Sequence, residues 1–164
     1  NNVLEVLANG TLNFTIKGIH IGMKVIWNYT PPTNGGDTFT SIKKGSKATL
    51  KIVQNKENGF IKELYIQKVQ NTENATFKTQ LEKTIKELQD TYPFLSIKER
   101  NNGLYLIDIP QACRSGHEAH FSKVAKTFLH YLQYKDMPEW ENENTISKYY
   151  ITTTAVEMAK SRDK

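Results

Sequence analysis

The chain has 164 residues, a length that fits one domain with a hydrophobic core of its own. Its 22 basic and 17 acidic residues are interspersed, giving a formal net charge of +5 without a basic stripe among aromatics, so nucleic-acid binding is not expected. The single cysteine, Cys113, excludes an internal disulfide and a thiolate zinc site, and no apolar run approaches the roughly 20 residues that span a bilayer.

The first half of the chain alternates apolar and polar residues in the way that is typical of β-strands. We expect a meander of antiparallel strands joined by short turns, at 3–7, 12–16, 23–29, 39–42, 48–53 and 64–67. Asn9-Gly10 suits a tight hairpin turn between the first two strands. Pro31-Pro32 ends the third strand, and residues 33–37 have the composition of a flexible loop.

The second half begins with a change to helical spacing. A helix is predicted from Asn74 to the stop at Pro93, because apolar residues recur at Phe77, Leu81, Ile85 and Leu88. Two further strands follow at 95–98 and 104–107. Strands followed by helices predict an α+β fold. We expect a single domain over 1–164, a two-layer sandwich with a largely antiparallel, open-faced sheet and helices on one face.

Two more helices are predicted near the C-terminus. Ser115 caps the first of them, and Glu118 three residues later completes a capping box. The apolar stripe of this helix should face the sheet; it consists of Phe121, Val124, Ala125, Phe128, Leu129 and Leu132. The last helix should run from about Asn144 to about Lys160, with Trp140 fixing the connection before it. The tyrosines and β-branched residues of 149–154 indicate burial against the sheet or a partner.

Two histidines stand at the start of the first of these helices. His117 and His120 lie three residues apart, so their side chains are neighbours. A helix N-terminus attracts anionic or hydroxyl-rich ligands, which makes both histidines candidate substrate-binding residues. The alternative is a polar helix start held by neighbouring carbonyls. No metal site is predicted, because His-Glu-x-His is not the zinc-protease spacing, and a third ligand such as His20 or Asp37 would be required.

Three further residues are candidates for substrate binding. Trp27 and Tyr29 combine aromatic faces with nearby amide and hydroxyl groups, a set that suits sugar rings. The alternative for Trp27 is packing under a helix. Asp37 follows Gly35 and Gly36, in a loop whose backbone can approach a ligand closely. Its alternative is an ordinary turn aspartate.

Five segments together resemble the C-terminal domain of oxidoreductases of the glucose-fructose oxidoreductase, inositol dehydrogenase and MocA-like (Gfo/Idh/MocA) family. They are Trp27–Pro32, Gly35–Thr38, Ser115–Phe121, Met137–Glu141 and Lys148–Ala155. The likeness extends from about Leu12 to Ala159. Phe39 departs from it, since Thr38 would be followed by histidine in the family pattern.

The resemblance implies a parent enzyme that transfers a hydride between NAD or NADP and a sugar-like carbinol. Its N-terminal Rossmann domain would bind the dinucleotide upstream of Asn1, and this chain has no Gly-x-Gly-x-x-Gly or βαβ pattern. The family's catalytic lysine belongs to that domain, and its aspartate and histidine belong to a helix that would also precede Asn1. No catalytic residue is therefore carried over, and this chain alone is expected to be inactive.

The resemblance also implies partners. The C-terminal domain would contact the Rossmann domain, form a wall of the site for a sugar-like molecule, and assemble into a homo-oligomer through the open face of its sheet. Two other functions stay open. One is a non-enzymatic carbohydrate-binding or interaction module with Trp27 and Tyr29 as its stacking platform. The other is a metal-dependent hydrolase that uses His117 and His120.

Overall fold

A computed structural model describes residues 8–71 and 73–162, which contain two antiparallel sheets and three α-helices. The described elements are β1 (Gly10–Ile16), β2 (Ile19–Val25), β3 (Phe39–Lys44), β4 (Ala48–Gln54), β5 (Glu63–Lys68), α1 (Asn74–Leu88), β6 (Ser96–Glu99), β7 (Leu104–Asp108), α2 (His117–Tyr134) and α3 (Glu139–Arg162). The predicted α+β fold is confirmed. The strand predicted at 3–7 lies outside the described residues.

The described chain falls into two compact units. The larger unit, residues 31–117, holds β3 to β7 and α1, and the smaller unit combines residues 8–30 with 118–162. The meander predicted to run through the whole first half is therefore wrong at one point, because β1 and β2 form a separate two-stranded sheet. The single domain predicted over 1–164 stays a prediction.

The sheet of the larger unit has the order β3-β4-β5-β7-β6 with every neighbouring pair antiparallel. Side chains alternate between its two faces, and one face packs on α1. Leu81 and Ile85 of α1 meet Tyr105 and Ile107 of β7 in the buried core. Each such side chain stabilises the fold by about 1.5–3 kcal/mol through burial of apolar surface. The core thus sits between α1 and the central strands, as the helical spacing predicted.

The hairpin of the smaller unit turns at Lys17-Gly18, which have φ of 48° and 77°. Two consecutive positive φ angles match the right-handed twist of the flanking strands in a two-residue turn. The turn predicted at Asn9-Gly10 would join the strand at 3–7 to β1, and it stays a prediction because that strand lies outside the described residues. Gly10 pairs with Val25 at the start of β1. The Asn9 side chain closes the open end of the hairpin, since its Oδ1 accepts the backbone N–H of Trp27 at 2.6 Å.

The helix α3 begins earlier than predicted, at Glu139 rather than near Asn144. Pro138 precedes it, and Glu139 and Glu141 place negative charge in its first turn, where the helix dipole favours it. Trp140 therefore lies inside α3 and not in the connection before it. The capping box of Ser115 and Glu118 stays a prediction.

The apolar stripe of α2 belongs to the smaller unit, whereas the sheet that it is predicted to face belongs to the larger unit. Phe121, Val124 and Phe128 are 63%, 67% and 59% exposed. That the sheet covers this stripe stays a prediction. Tyr149 and Tyr150 of α3 are also largely exposed. Amphipathic spacing identified a helix with one apolar side, but spacing alone does not identify what covers that side. Across residues 8–71 and 73–162, no helix combines the length and the apolar character that crossing a membrane requires.

Candidate functional site

Two of the predicted site residues lie in segments that join the sheet of the larger unit at the same edge. Asp37 lies two residues before β3, and His117 follows β7 after a short 3₁₀ turn at Gln111–Cys113. The register places the start of β3 and the end of β7 at one edge, because each neighbouring pair of strands between them is antiparallel. Since β4 and β5 intervene, the two strands are about 14 Å apart at the usual strand spacing.

The loop that carries Asp37 is tightly built. The Gly35 N–H donates to the Pro32 carbonyl at 2.7 Å, and a Cβ at Gly35 would lie 2.7 Å from the Pro32 ring and carbonyl oxygen. A Cβ at Gly36 would lie 3.4 Å from the Phe60 Cβ. Gly35 therefore permits the close turn, whereas a Cβ at Gly36 would make an ordinary van der Waals contact with the β4–β5 connection. The exposed Asp37 side chain is presented from this turn.

The β4–β5 connection beneath the loop is fixed by a reciprocal pair of asparagines. The Asn55 N–H donates to Asn58 Oδ1 at 2.9 Å, and the Asn58 N–H donates to Asn55 Oδ1 at 3.3 Å. The Phe60 N–H then donates to the Asn55 carbonyl at 2.7 Å. Such a reciprocal cap satisfies backbone groups that a short helical turn leaves without partners. The loop of Asp37 thus packs against a connection whose conformation is fixed by hydrogen bonds.

Arg114 holds the linker that leads into α2, a role that the sequence did not reveal. Its Nη1 donates to the Lys62 carbonyl at 2.6 Å, and its Nε donates to the Ile109 carbonyl at 3.2 Å. The Lys62 ammonium in turn lies 5.2 Å from the centre of the Phe39 ring. These contacts connect the start of β3, the β4–β5 connection and the residues just before His117. A lone arginine in a linker gives no pattern from which this clamp could be predicted.

The two candidate histidines lie on the first turns of α2. His117 belongs to the larger unit and His120 to the smaller unit, and both side chains are exposed. His120 also lines a groove of about 700 Å³ between α2 and α3. The apolar part of that groove consists of Val124, Phe128, Tyr131 and Met137, and its polar part includes Lys123, Glu141, Asn142 and Thr145.

The aromatic candidates lie in the smaller unit, just past β2. The Trp27 side chain is 74% exposed, so its alternative role as a residue packed under a helix is wrong. Tyr29 is partly exposed two residues later. Trp27 and Tyr29 therefore share a unit with His120, whereas Asp37 and His117 share the other. A common substrate site for all five residues stays a prediction.

The remaining histidines are engaged in local contacts. The His20 Nδ1 lies 2.9 Å from the Thr15 hydroxyl across the hairpin, and the His130 Nε2 lies 2.9 Å from Asp136 Oδ2 after the end of α2. No group of three or more His, Cys, Asp or Glu side chains that could hold a metal ion occurs among residues 8–71 and 73–162. The third ligand that the metal-dependent hydrolase would need is not found in that part of the chain.

Fold and site together define a class of protein. The fold of the larger unit is an antiparallel sheet backed by one helix, and every strand pairing among the described residues is antiparallel. Residues 1–160 match the family described as "Putative oxidoreductase C terminal domain". The chain belongs to this family, the C-terminal domain of oxidoreductases of the Gfo/Idh/MocA type, and the resemblance stated from the sequence is confirmed.

A solved structure supports the same assignment. A protein from Parabacteroides merdae, described as a "putative oxidoreductase", shares 40% sequence identity with this chain and superposes with a TM-score of 0.90. The match covers 94% of this chain but 35% of that one, so the chain spans about a third of the length of its structural neighbour. No curated protein shows significant similarity to this chain.

Proposed function

We propose that this chain is the substrate-side domain of an NAD(P)-dependent oxidoreductase that acts on a sugar or polyol. In this proposal the domain forms one wall of the substrate site and one subunit interface, and it is inactive by itself. The proposal rests on the observation that Asp37 and His117 belong to segments that join the sheet at the same edge. The chain that carries them is a member of an oxidoreductase C-terminal family. A polyol recognised at that edge would meet a carboxylate acceptor and an imidazole at the start of a helix.

The dinucleotide itself does not fit the described residues. Every strand pairing among them is antiparallel, whereas dinucleotides bind where parallel strands of a βαβ unit diverge. The sequence also lacks the glycine-rich turn that approaches the pyrophosphate. The cofactor would be held by the N-terminal domain, where it would supply hydride transfer. The residues of this chain would bind and orient the substrate.

The subunit interface would use the sheet face opposite α1. This face carries Tyr65, whose hydroxyl donates to Glu63 at 2.6 Å, and Lys98, whose ammonium lies 2.7 Å from Asp108. The two residues flank Leu106, which is buried. A partner seated here would cover groups whose charges are already matched within the sheet. That arrangement limits the cost of removing them from water.

Steady-state kinetics of the complete polypeptide test the proposal. A panel of sugars and polyols is screened with NAD and NADP, and the best substrate is then used with Asp37→Ala and His117→Ala. Loss of one hydrogen bond to a substrate hydroxyl should raise KM about ten-fold. The matched controls are Asp90→Ala and His130→Ala, which remove the same side chains at sites outside the proposed wall. Equal effects of all four variants, or no turnover with any substrate, would overturn the proposal.

The exposure of Trp27 favours a second candidate, a carbohydrate-binding module that is not an enzyme. An indole that is 74% exposed can stack on the C–H face of a sugar ring without rearrangement. Binding of this chain to a glycan array, lost in Trp27→Ala and retained in Trp140→Ala, would support this candidate. Array binding that is absent, or equally weakened by both substitutions, would rule it out.

A further inference from the structure

The sheet edge that carries Asp37 and His117 also holds two positively charged side chains. Arg114 lies in the linker before His117, and Lys62 is the last residue of the β4–β5 connection. The Arg114 guanidinium donates to the Ile109 carbonyl after β7 at 3.2 Å and to the Lys62 carbonyl before β5 at 2.6 Å. Its positive charge therefore lies where the neighbouring strands β5 and β7 meet this edge.

The Lys62 ammonium extends the positive charge toward β3. It lies 5.2 Å from the centre of the ring of Phe39, the first residue of β3. The aromatic face orients the ammonium by its quadrupole, but it does not neutralise the charge. Phe39 follows Asp37 by two residues. The two cations thus occupy the interval between the loop of Asp37 and the linker that leads to His117.

Neither cation forms an ion pair with a carboxylate of residues 8–71 and 73–162. Within a distance of 4.0 Å, the ion pairs of those residues are Lys78 with Glu99, Lys83 with Glu87, Lys98 with Asp108 and His130 with Asp136. Arg114 instead binds two carbonyl oxygens, which carry no net charge. Both N–H groups of its Nη2 lack a hydrogen-bond acceptor in this part of the chain and can donate to a ligand.

The acidic side chains at the neighbouring strand ends are engaged by other groups. Glu63 accepts a hydrogen bond from the Tyr65 hydroxyl at 2.6 Å and another from the Asn58 side-chain amide at 3.3 Å. Asp108 lies 2.7 Å from the Lys98 ammonium. These carboxylates are held by residues of the sheet and of the β4–β5 connection, so they do not serve as counter-ions for the two cations.

We propose that the substrate is a sugar or polyol that carries an anionic group, and that Arg114 and Lys62 bind this group. The inference deepens the proposed function and rests on it, because it concerns the substrate of the same sheet edge. A guanidinium donates several N–H groups in one plane, which matches the oxygens of a carboxylate or a phosphate. Two cations held at one edge also repel each other, and an anion bound to both removes that repulsion.

The charge of Asp37 gives the bound molecule a direction. A carboxylate repels the anionic group and accepts hydrogen bonds from hydroxyl groups. The anionic end of the substrate would therefore lie at Arg114 and Lys62, and a hydroxyl-bearing end would lie toward Asp37. A neutral sugar would lack the first of these contacts.

A comparison of substrates with the complete polypeptide tests the proposal. Neutral sugars and polyols are each compared with the uronic acid and the phosphate ester of the same carbon skeleton, with NAD and with NADP. The charge-assisted contacts should raise kcat/KM about 10- to 100-fold for an anionic member over its neutral parent. A preference for the carboxylate or for the phosphate supports the proposal and identifies the anion. A kcat/KM for the neutral parent that equals or exceeds both would overturn it.

Substitutions at Lys62 test the charge itself, because Arg114 also holds the linker. Lys62→Met keeps the backbone carbonyl to which Arg114 donates, and it should lower the ratio of anionic to neutral kcat/KM about ten-fold, chiefly through KM. Lys62→Glu should abolish the preference. Lys86→Met, on α1, is the matched control and should leave the ratio unchanged. A ratio that survives in Lys62→Glu, or that falls equally in Lys86→Met, would contradict the assignment.

Calorimetric titration of the complete polypeptide separates this inference from the proposed function. The anionic sugar should bind more tightly than its neutral parent, and added salt should weaken only the anionic one. Such binding, lost in Lys62→Glu but without hydride transfer to either cofactor, would keep the anion site and overturn the oxidoreductase assignment. Hydride transfer with a neutral sugar and no preference for its anionic derivatives would overturn the anion site alone.

Discussion

Gly35 shows how one residue positions a candidate functional group. Its N–H donates to the Pro32 carbonyl at 2.7 Å, and any Cβ would lie 2.7 Å from that proline. Gly35→Ala should therefore destabilise the fold by about 1–3 kcal/mol, because the loop must open to accept a methyl group. Urea unfolding measures the change. Gly10→Ala is the matched control, since nothing lies within 4 Å of a Cβ there, and an equal loss in both variants would contradict the prediction.

Arg114 offers a second test at the scale of one side chain. Its guanidinium donates to the carbonyls of Lys62 and Ile109, so truncation leaves two acceptors without their charged donor. Arg114→Ala should lower the free energy of unfolding by about 1–3 kcal/mol. Arg114→Lys should recover only part of the loss, because a single ammonium lacks the fork of the guanidinium. Full recovery in the lysine variant, read by the same urea titration, would show that the two-point clamp does not matter.

Tyr105 is nearly fully buried, at 1% exposure, and its pKa is raised above the ordinary value of 10.0. Burial is the main cause, and the negative charge of Glu99 adds to it. Because the pKa of Tyr105 is raised in the folded state, the contribution of Tyr105 to stability is complete below pH 10. It is lost as the pH rises through the pKa of the folded state. Between the pKa of the unfolded state and that of the folded state, the ionisation of Tyr105 should lower the free energy of unfolding by up to about 1.4 kcal/mol per pH unit.

The predicted loss of stability at alkaline pH is checked by urea unfolding at a series of pH values from neutral upward. Tyr105→Phe should flatten the decline above pH 10, because phenylalanine has no proton to lose. Tyr92→Phe, at an exposed tyrosine, is the control and should leave the decline as it is. Identical pH profiles for Tyr105→Phe and the unmodified chain would refute the assignment.

At the scale of elements, α1 is the helix that fixes the larger unit. Leu81 and Ile85 are buried in the same core cluster as Tyr105 and Ile107. Ile85→Ala should cost about 2–5 kcal/mol, since it loses the burial of the side chain and leaves a cavity in the core. Leu88→Ala, one turn further on at a side chain that is 42% exposed, should cost much less. If chemical denaturation gave equal losses of unfolding free energy for Ile85→Ala and Leu88→Ala, the core would not be centred on Ile85.

The sequence was sufficient for elements whose signal is local. Alternation identified β3, β4 and β5, and the spacing of Phe77 to Leu88 identified α1, because both patterns arise from one apolar face. The turn between β1 and β2 was not predicted, because Lys17-Gly18 has a weaker turn composition than Asn9-Gly10 although it adopts the positive φ angles. The early start of α3 was missed because the charged first turn carries no apolar spacing.

The candidate site depended on information that is not local. The chemistry of Asp37 and His117 could be suggested from residue type, but their common sheet edge follows from the order β3-β4-β5-β7-β6. That order pairs β7 with β5, and no turn motif predicts this pairing. The clamp by Arg114 joins residues that are 52 positions apart in the sequence. Sequence reasoning thus named the candidate groups but could not predict the strand order that positions them.

For the whole molecule, the proposed function assigns substrate recognition to this chain and cofactor recognition to the N-terminal domain. The described residues present polar groups from one sheet edge and provide no crevice between parallel strands for a dinucleotide. A titration with NADH should therefore give no change in nicotinamide fluorescence for this chain. The complete polypeptide should bind NADH with micromolar affinity, which corresponds to a binding free energy on the order of −8 kcal/mol. Circular dichroism must first show that the shorter chain retains its helices and strands. Saturable binding of NADH by that folded shorter chain would mean that the cofactor site lies within these 164 residues, and the division of labour proposed for the two domains would be wrong.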